Sequence, residues 1–309
     1  MKNMVQYTVL PNCTGNCDFC LRDERFFLNK GQILDNIELI KKNIPLIDWK
    51  DQFQYGISLL GGEIYYSRDI DYQEAFLDLI DTIIEKVLKV SPNPNCKYSS
   101  VTNGMYDPDF LFKVIDRITE KVGIEKVDLN FSFDLKYRFK TDFQKEQVLN
   151  NINAFHKRYD YNVGVQMILT QYLIEMWKNK LFDVNSFVKE YIPGNMICFL
   201  YPHPIRTGKT LPDFFFKRNN FLEFILDLKT TSPKTYYSFL QSTKNSAIFK
   251  YTGLIHKNTL HDYKEMPILS DGKEILNEKC KHSILYKCYA DSDKCMLCDL
   301  LHLDEGEYL

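Results

Sequence analysis

No stretch of this 309-residue chain approaches about 20 uninterrupted apolar residues, so no segment can span a bilayer as a helix. Met1–Leu10 holds one lysine and only a short apolar run before Pro11 and Cys13, which is not the pattern of a secretory signal. An excess of either charge is missing too: 39 Lys and Arg stand against 41 Asp and Glu, a formal net charge of −2. Without a global basic field, nucleic acid and anionic membranes are poor candidates as partners. There is no low-complexity tract. The cysteines number 9, and an odd count in a long chain argues against a disulfide framework. The expectation is a cytoplasmic protein. Its composition, 45% hydrophobic and 26% charged, suits a globular chain of one large or two ordinary domains.

The first two-thirds of the chain alternates short β-type runs with longer helical ones. Strands are expected at Val5–Leu10, Tyr55–Leu60, Lys97–Thr102, Lys126–Phe133, Asn162–Leu169 and Asn195–Tyr201. Helices are expected at Ile33–Ile44, Tyr72–Val90, Pro108–Val122 with Asp107 as its cap, Phe143–Arg158, and Tyr172–Tyr191 with a break near Asp183. Six β–α units in series predict a parallel sheet with helices outside it. Six are too few to close an eight-stranded barrel, so the predicted fold is α/β, a partial (β/α)6 TIM-like barrel. In such sheets the working groups lie at the C-terminal strand ends. After Pro202 the alternation stops, and a soft domain boundary falls between residues 209 and 210. Pro212–Thr230 and Lys234–Tyr251 read as helices, and Glu265–Leu276 as a hairpin turning at Asp271-Gly272.

The cysteines gather at the two ends. Cys13, Cys17 and Cys20 form a C-x3-C-x2-C run directly after the first strand. Three thiolates on one irregular loop can wrap one face of a metal cluster, and leave one iron of a four-iron cube open for chemistry. A zinc site would ask for a fourth Cys or His nearby, and the nearest histidine is His156. By ligand count alone both metals stay open. Gly61-Gly62-Glu63 follows the second expected strand; by itself it reads equally as a turn with a helix-starting Glu. Thr102-Asn103-Gly104 follows the third, and Ser132-Phe133-Asp134 ends the fourth.

Taken in order along residues 4–208, these motifs resemble the radical S-adenosylmethionine (SAM, AdoMet) superfamily. The resemblance implies that Cys13, Cys17 and Cys20 hold a 4Fe–4S cluster, with Phe19 as the aromatic before the last Cys. It implies that Gly61, Gly62 and Glu63 grip the methionyl amine of AdoMet. Asn103, Ser132, Asp134 and Gln166 would lie around the ribose and substrate, and Arg138 would meet the AdoMet carboxylate. AdoMet would be cleaved reductively to a 5′-deoxyadenosyl radical that abstracts hydrogen from a substrate. An electron donor such as flavodoxin or ferredoxin is implied as a partner. No catalytic side chain is assigned. The Pro204–Gly208 run departs from the family's segment there in the place of its glycine, and no residue is carried over from it.

Cys280, Cys288, Cys295 and Cys298 form a second group, C-x7-C-x6-C-x2-C. Four thiolates can close an auxiliary 4Fe–4S cluster or a zinc site. The segment resembles the SPASM or twitch tail behind many radical SAM domains, which favours the cluster, although the Cys usual before the hairpin is missing. Family members with such tails mostly modify peptides or proteins, so a peptide-modifying maturase is the first expectation. With only about four residues ahead of strand one, recognition of a leader peptide is expected to come from a partner or from the tail. Oxidation or cyclisation of a small molecule, sugar or nucleotide is the alternative, and a non-catalytic zinc- or cluster-binding protein a further one. Cys96 and Cys198 read as core residues.

Overall fold

The computed structural model describes residues 3–13, 15, 17–18, 27–52, 54–200 and 218–239. Six strands, β1 (Asn3–Leu10), β2 (Gln54–Gly61), β3 (Lys97–Thr102), β4 (Val127–Phe133), β5 (Gly164–Ile168) and β6 (Met196–Leu200), form one sheet in the order of the chain. Every neighbouring pair is parallel. A sheet wound in sequence order by right-handed crossovers must carry its helices on one face, and it therefore curls toward a barrel. This is the partial (β/α)6 architecture expected from the sequence.

The helices follow the apolar periodicity, and most have a side-chain cap. They are α1 (Lys30–Asn43), α2 (Ile70–Ile83), α3 (Asp109–Val122), α4 (Asp142–Tyr159), α5 (Gln171–Lys178), α6 (Val184–Tyr191) and α7 (Arg218–Thr231). Asn29 and Gln32 build a reciprocal capping box on α1, while Asp69, Thr141, Thr170 and Asp183 accept from backbone N–H groups at the starts of α2, α4, α5 and α6. The break expected near Asp183 is real, because this residue caps a new helix. Among the boundaries that differ from the expectation, two have a visible local cause. The α3 helix starts at Asp109, and Asp107 instead accepts from the Asp109 N–H just ahead of it. The helix expected to run to Val90 leaves α geometry at Ile84–Leu88, a π turn whose apolar residues stay buried.

The sheet's two faces differ. Val5, Tyr7, Val9, Ile57, Leu59, Tyr98, Leu129, Phe131, Phe133, Val165, Met167, Ile197 and Phe199 point into the core against the helices. The other face is concave and polar: register aligns Gln6 with Ser58, Ser58 with Ser99, and Ser132 with Gln166. Beyond β6, Phe224 of α7 stacks edge-on with Phe199 and Trp177, and Trp177 Nε1 donates to Asp227 (2.9 Å), fixing α7 on the outer layer. Residues 233–239 are helical. No helix among the described residues is long and apolar enough to cross a membrane. The expected domain boundary and the C-terminal hairpin lie outside the described residues.

Candidate cluster and cofactor site

The loop that leaves β1 is closed at its neck by one side chain. Asn12 Nδ2 donates to the Leu28 carbonyl (2.9 Å) and Asn12 Oδ1 accepts from the Leu28 N–H (2.9 Å), across a separation of 16 residues. All three cysteines of the triad fall between these ends. Below the neck, buried Asn36 of α1 donates to the carbonyls of Thr8 (2.9 Å) and Val9 (2.7 Å), fixing the end of β1. Cys20 and Phe19 lie outside the described residues, as do Cys280, Cys288, Cys295 and Cys298. Cys13 and Cys17 are half-buried.

Both described sulfurs receive N–H groups. Cys13 Sγ accepts from Gly15 N (3.2 Å) and from Asn103 Nδ2 (3.4 Å). Cys17 Sγ accepts from Arg138 Nη1 (3.7 Å). Donors converging on thiol sulfurs suit a site that carries thiolate charge, which is what an iron–sulfur cluster or zinc demands. The donor set therefore fits the expected cluster, with Cys13 and Cys17 placed on the loop and Cys20 to complete the triad.

The Gly-Gly-Glu run stands directly across from that loop. Gly62 N donates to Leu10 O (2.8 Å) and Glu63 N to Asn12 O (2.9 Å), so β2 continues pairing past its end. A β carbon on Gly61 would lie 2.3 Å from Leu10 O, and one on Gly62 2.2 Å from Asn12 O. The sequence suggests glycines here for close approach of a ligand; the atoms pressing on them are the backbone of the cysteine loop itself.

Glu63 is 3% exposed. Its carboxylate accepts from Asn103 N (2.6 Å), from Thr102 Oγ1 (3.0 and 3.1 Å) and from Tyr65 N (3.3 Å). Burial outweighs these donors and pushes its pKa up to about 7. Thr102 Oγ1 also bonds Tyr106 Oη (2.5 Å), and Asn151 of α4 donates to the carbonyls of Gly104 and Tyr106 (2.8 Å each), so the loop after β3 is braced from both sides. A cavity of about 530 Å³ opens beside Cys13, with Asn12, Leu28, Lys30, Glu63 and Arg68 among its walls. Volumes of this order hold small cofactors.

After β4, Asp134 is buried and its Oδ1 accepts from Lys136 N (2.8 Å) and Tyr137 N (2.5 Å), which folds the loop into a turn. Burial raises its pKa. That turn clamps the cysteine loop: Asp18 N donates to Tyr137 O (3.0 Å) and Lys140 Nζ pairs with Asp18 (2.6 Å). Asp134 thus shapes the turn that presents Arg138 to Cys17. Ser132 and Gln166 lie side by side, half-buried on the concave face. The structure brings together Cys13, Cys17, Gly61, Gly62, Glu63, Asn103 and Arg138, while Asp134 acts one turn behind them.

Asn12, Asn36, Tyr106 and Asn151 were not among the residues singled out in the sequence. Only Asn12, next to Cys13 at a strand end, carried a local hint of its place.

No family model matches the chain, and no curated protein matches it. Solved structures do. Hexahistidine-tagged anSMEcpe with bound AdoMet matches at a TM-score of 0.53 and 12% identity, over 80% of this chain and 66% of that one. Native anSMEcpe with bound AdoMet and the Cp18Cys peptide matches with the same values, and the complex with the Kp18Cys peptide at a TM-score of 0.52 and 12% identity, over 79% and 66%. The chain spans 66% of the length of these proteins. At this identity the likeness is one of fold, and the shared fold is a partial TIM-like barrel.

Proposed function

We propose that the chain binds a 4Fe–4S cluster through Cys13, Cys17 and Cys20 and uses it to cleave AdoMet, generating a radical that abstracts hydrogen from a peptide or protein side chain. The observation that carries this reading is the neck-closed loop at the end of β1, where N–H groups meet the two described thiols beside a buried carboxylate. A cluster held by Cys13, Cys17 and Cys20 would supply the electron for reductive cleavage of AdoMet and so the radical chemistry of hydrogen abstraction from the substrate. The protein's part is to orient the cofactor and keep water and oxygen away. Glu63, once ionised, offers its charge to the methionyl ammonium, and Gly61 and Gly62 hold the two loops close enough for both to share one ligand. Ser132 and Gln166 are the proposed contacts around ribose and substrate.

Two observations support a peptide over a phosphorylated or nucleotide substrate. One similar fold was solved with a bound peptide. On the concave face, Gln6, Thr8, Ser132 and Gln166 offer neutral hydroxyls and amides that match peptide groups, while Ser58 is buried and Ser99 donates to the Asp128 carboxylate (3.2 Å). The described strands place one cation there, Lys97, at the opposite edge and bonded to Tyr161 Oη (3.3 Å). The C-terminal cysteines are proposed to hold a second 4Fe–4S cluster in a tail domain from residue 210, and the reductant to be a flavodoxin or ferredoxin in the cytoplasm.

The test is anaerobic reconstitution with iron and sulfide, followed by dithionite and AdoMet. Deoxyadenosine from the wild type but not from the Cys13/Cys17/Cys20→Ala chain, with about eight irons falling to about four, is the expected result. No deoxyadenosine and no AdoMet binding by a well-loaded chain would refute it. About four irons plus zinc would remove only the second cluster.

A further inference from the structure

Asn103 and Arg138 come from different strand ends, yet each aims an N–H at a cysteine sulfur, 3.4 Å from Cys13 and 3.7 Å from Cys17 respectively. Neither arrangement is incidental. The Asn103 amide is oriented by Met105 N, which donates to its Oδ1 (2.9 Å) and so turns Nδ2 toward Cys13. Arg138 is brought to Cys17 by the turn that Asp134 folds and by the Tyr137–Asp18 and Lys140–Asp18 ties. Sulfur ligands of a cluster carry much of its negative charge, and that charge grows by one on reduction. An N–H donor therefore stabilises the reduced form more than the oxidised one and raises the reduction potential. A guanidinium adds its full charge to the same effect.

We propose that Asn103 and Arg138 are positioning residues that hydrogen-bond to the sulfurs of Cys13 and Cys17 and raise the reduction potential of the cluster those cysteines hold. This rests on the reading that the triad binds a 4Fe–4S cluster. It gives Arg138 a role that precedes AdoMet, in place of the carboxylate contact implied by resemblance. The step it tunes is a one-electron reduction of the oxidised cluster by a low-potential donor, dithionite in the experiment below, with no bond made or broken.

The experiment is a potentiometric titration of the reconstituted full-length chain without AdoMet, followed by electron paramagnetic resonance. The signal of the Cys13/Cys17/Cys20→Ala chain is subtracted to isolate the triad's cluster. Asn103→Ser keeps an oxygen that accepts from Met105 N but is too short to reach Cys13. Arg138→Ala removes the charged donor, and Arg138→Lys keeps a cation. The expected result is a tenfold drop in the reduction equilibrium constant for each of the first two, about 59 mV for one electron. Arg138→Lys recovers at least half of the loss. Reduction equilibrium constants within twofold of wild type, about 18 mV, in both Asn103→Ser and Arg138→Ala, with iron content unchanged, would overturn the inference and leave the proposed function standing. If the wild type binds no iron that depends on the triad, both fall. A shifted potential in a chain that makes no deoxyadenosine sustains this inference alone.

Discussion

Replacing Glu63 with glutamine isolates the energetic weight of a carboxylate that the fold encloses almost completely. In the folded chain its pKa is about 7, against an ordinary 4.5, because burial outweighs the donors at Asn103, Tyr65 and Thr102. Between those values the folded state holds a proton that the unfolded state has released. Stability contributed by this group is therefore present in full below pH 4.5 and is lost as pH rises through 7. Integrated from pH 5 to pH 8, the loss is about 2.5 kcal/mol. With a urea m-value near the upper end of about 1–3 kcal/mol/M, the wild-type midpoint falls by about 1 M over that range. Glutamine keeps the shape, accepts from Asn103 N and Thr102, and does not titrate. The metal-free Glu63→Gln chain should lack this contribution, so the wild type loses about 1 M more in midpoint than the variant. The two chains are otherwise identical, so the difference between their midpoints isolates residue 63. Midpoints that move in parallel, within about 0.3 M, would refute the claim that burial governs this carboxyl.

The same residue sets a second expectation: if ionised Glu63 holds the AdoMet ammonium, AdoMet binds about tenfold more weakly at pH 6 than at pH 8 by equilibrium dialysis, and the Glu63→Gln chain shows no such dependence. Gly62→Ala should reduce iron bound per chain by more than half after reconstitution, since its β carbon meets the backbone of Asn12 rather than a side chain that could swing away. Circular dichroism checks that the sheet survives. Asn151→Ala should lower unfolding stability by about 2–4 kcal/mol in urea, because it strands two buried carbonyls of the loop after β3.

The strand-and-helix succession was readable because each strand buries one face and each helix one stripe, so period-two and period-3.6 patterns survive in the residues themselves. Motif positions followed, since a strand end is a place in the sequence as well as in space. The enclosure of Glu63 was not readable: Thr102, Tyr106 and Asn103 lie about 40 residues away and meet it only through the β2–β3 pairing. Nor was the part played by Asp134, whose carboxylate serves its own loop's N–H groups. The bracing asparagines at 12, 36 and 151 look like any other polar residue in strand-end or helix text. Their work depends on carbonyls left unpaired where strands stop, and no periodicity marks those. The π turn at Ile84–Leu88 keeps the apolar spacing of a helix and so passed for one.

The clasp between Asn12 and Leu28 has a consequence for how the site is assembled. Joining two points of a chain 16 residues apart by two hydrogen bonds converts a free segment into a tethered ring before any metal arrives. The entropy of bringing the ring's ends together is then borne by folding of the barrel and is not charged to metal capture. Sequence inside the ring can vary in length or composition without moving its anchor points, since the clasp uses main-chain groups at Leu28 and one short side chain at residue 12. The barrel thus holds both ends of this loop in place through the Asn12–Leu28 clasp.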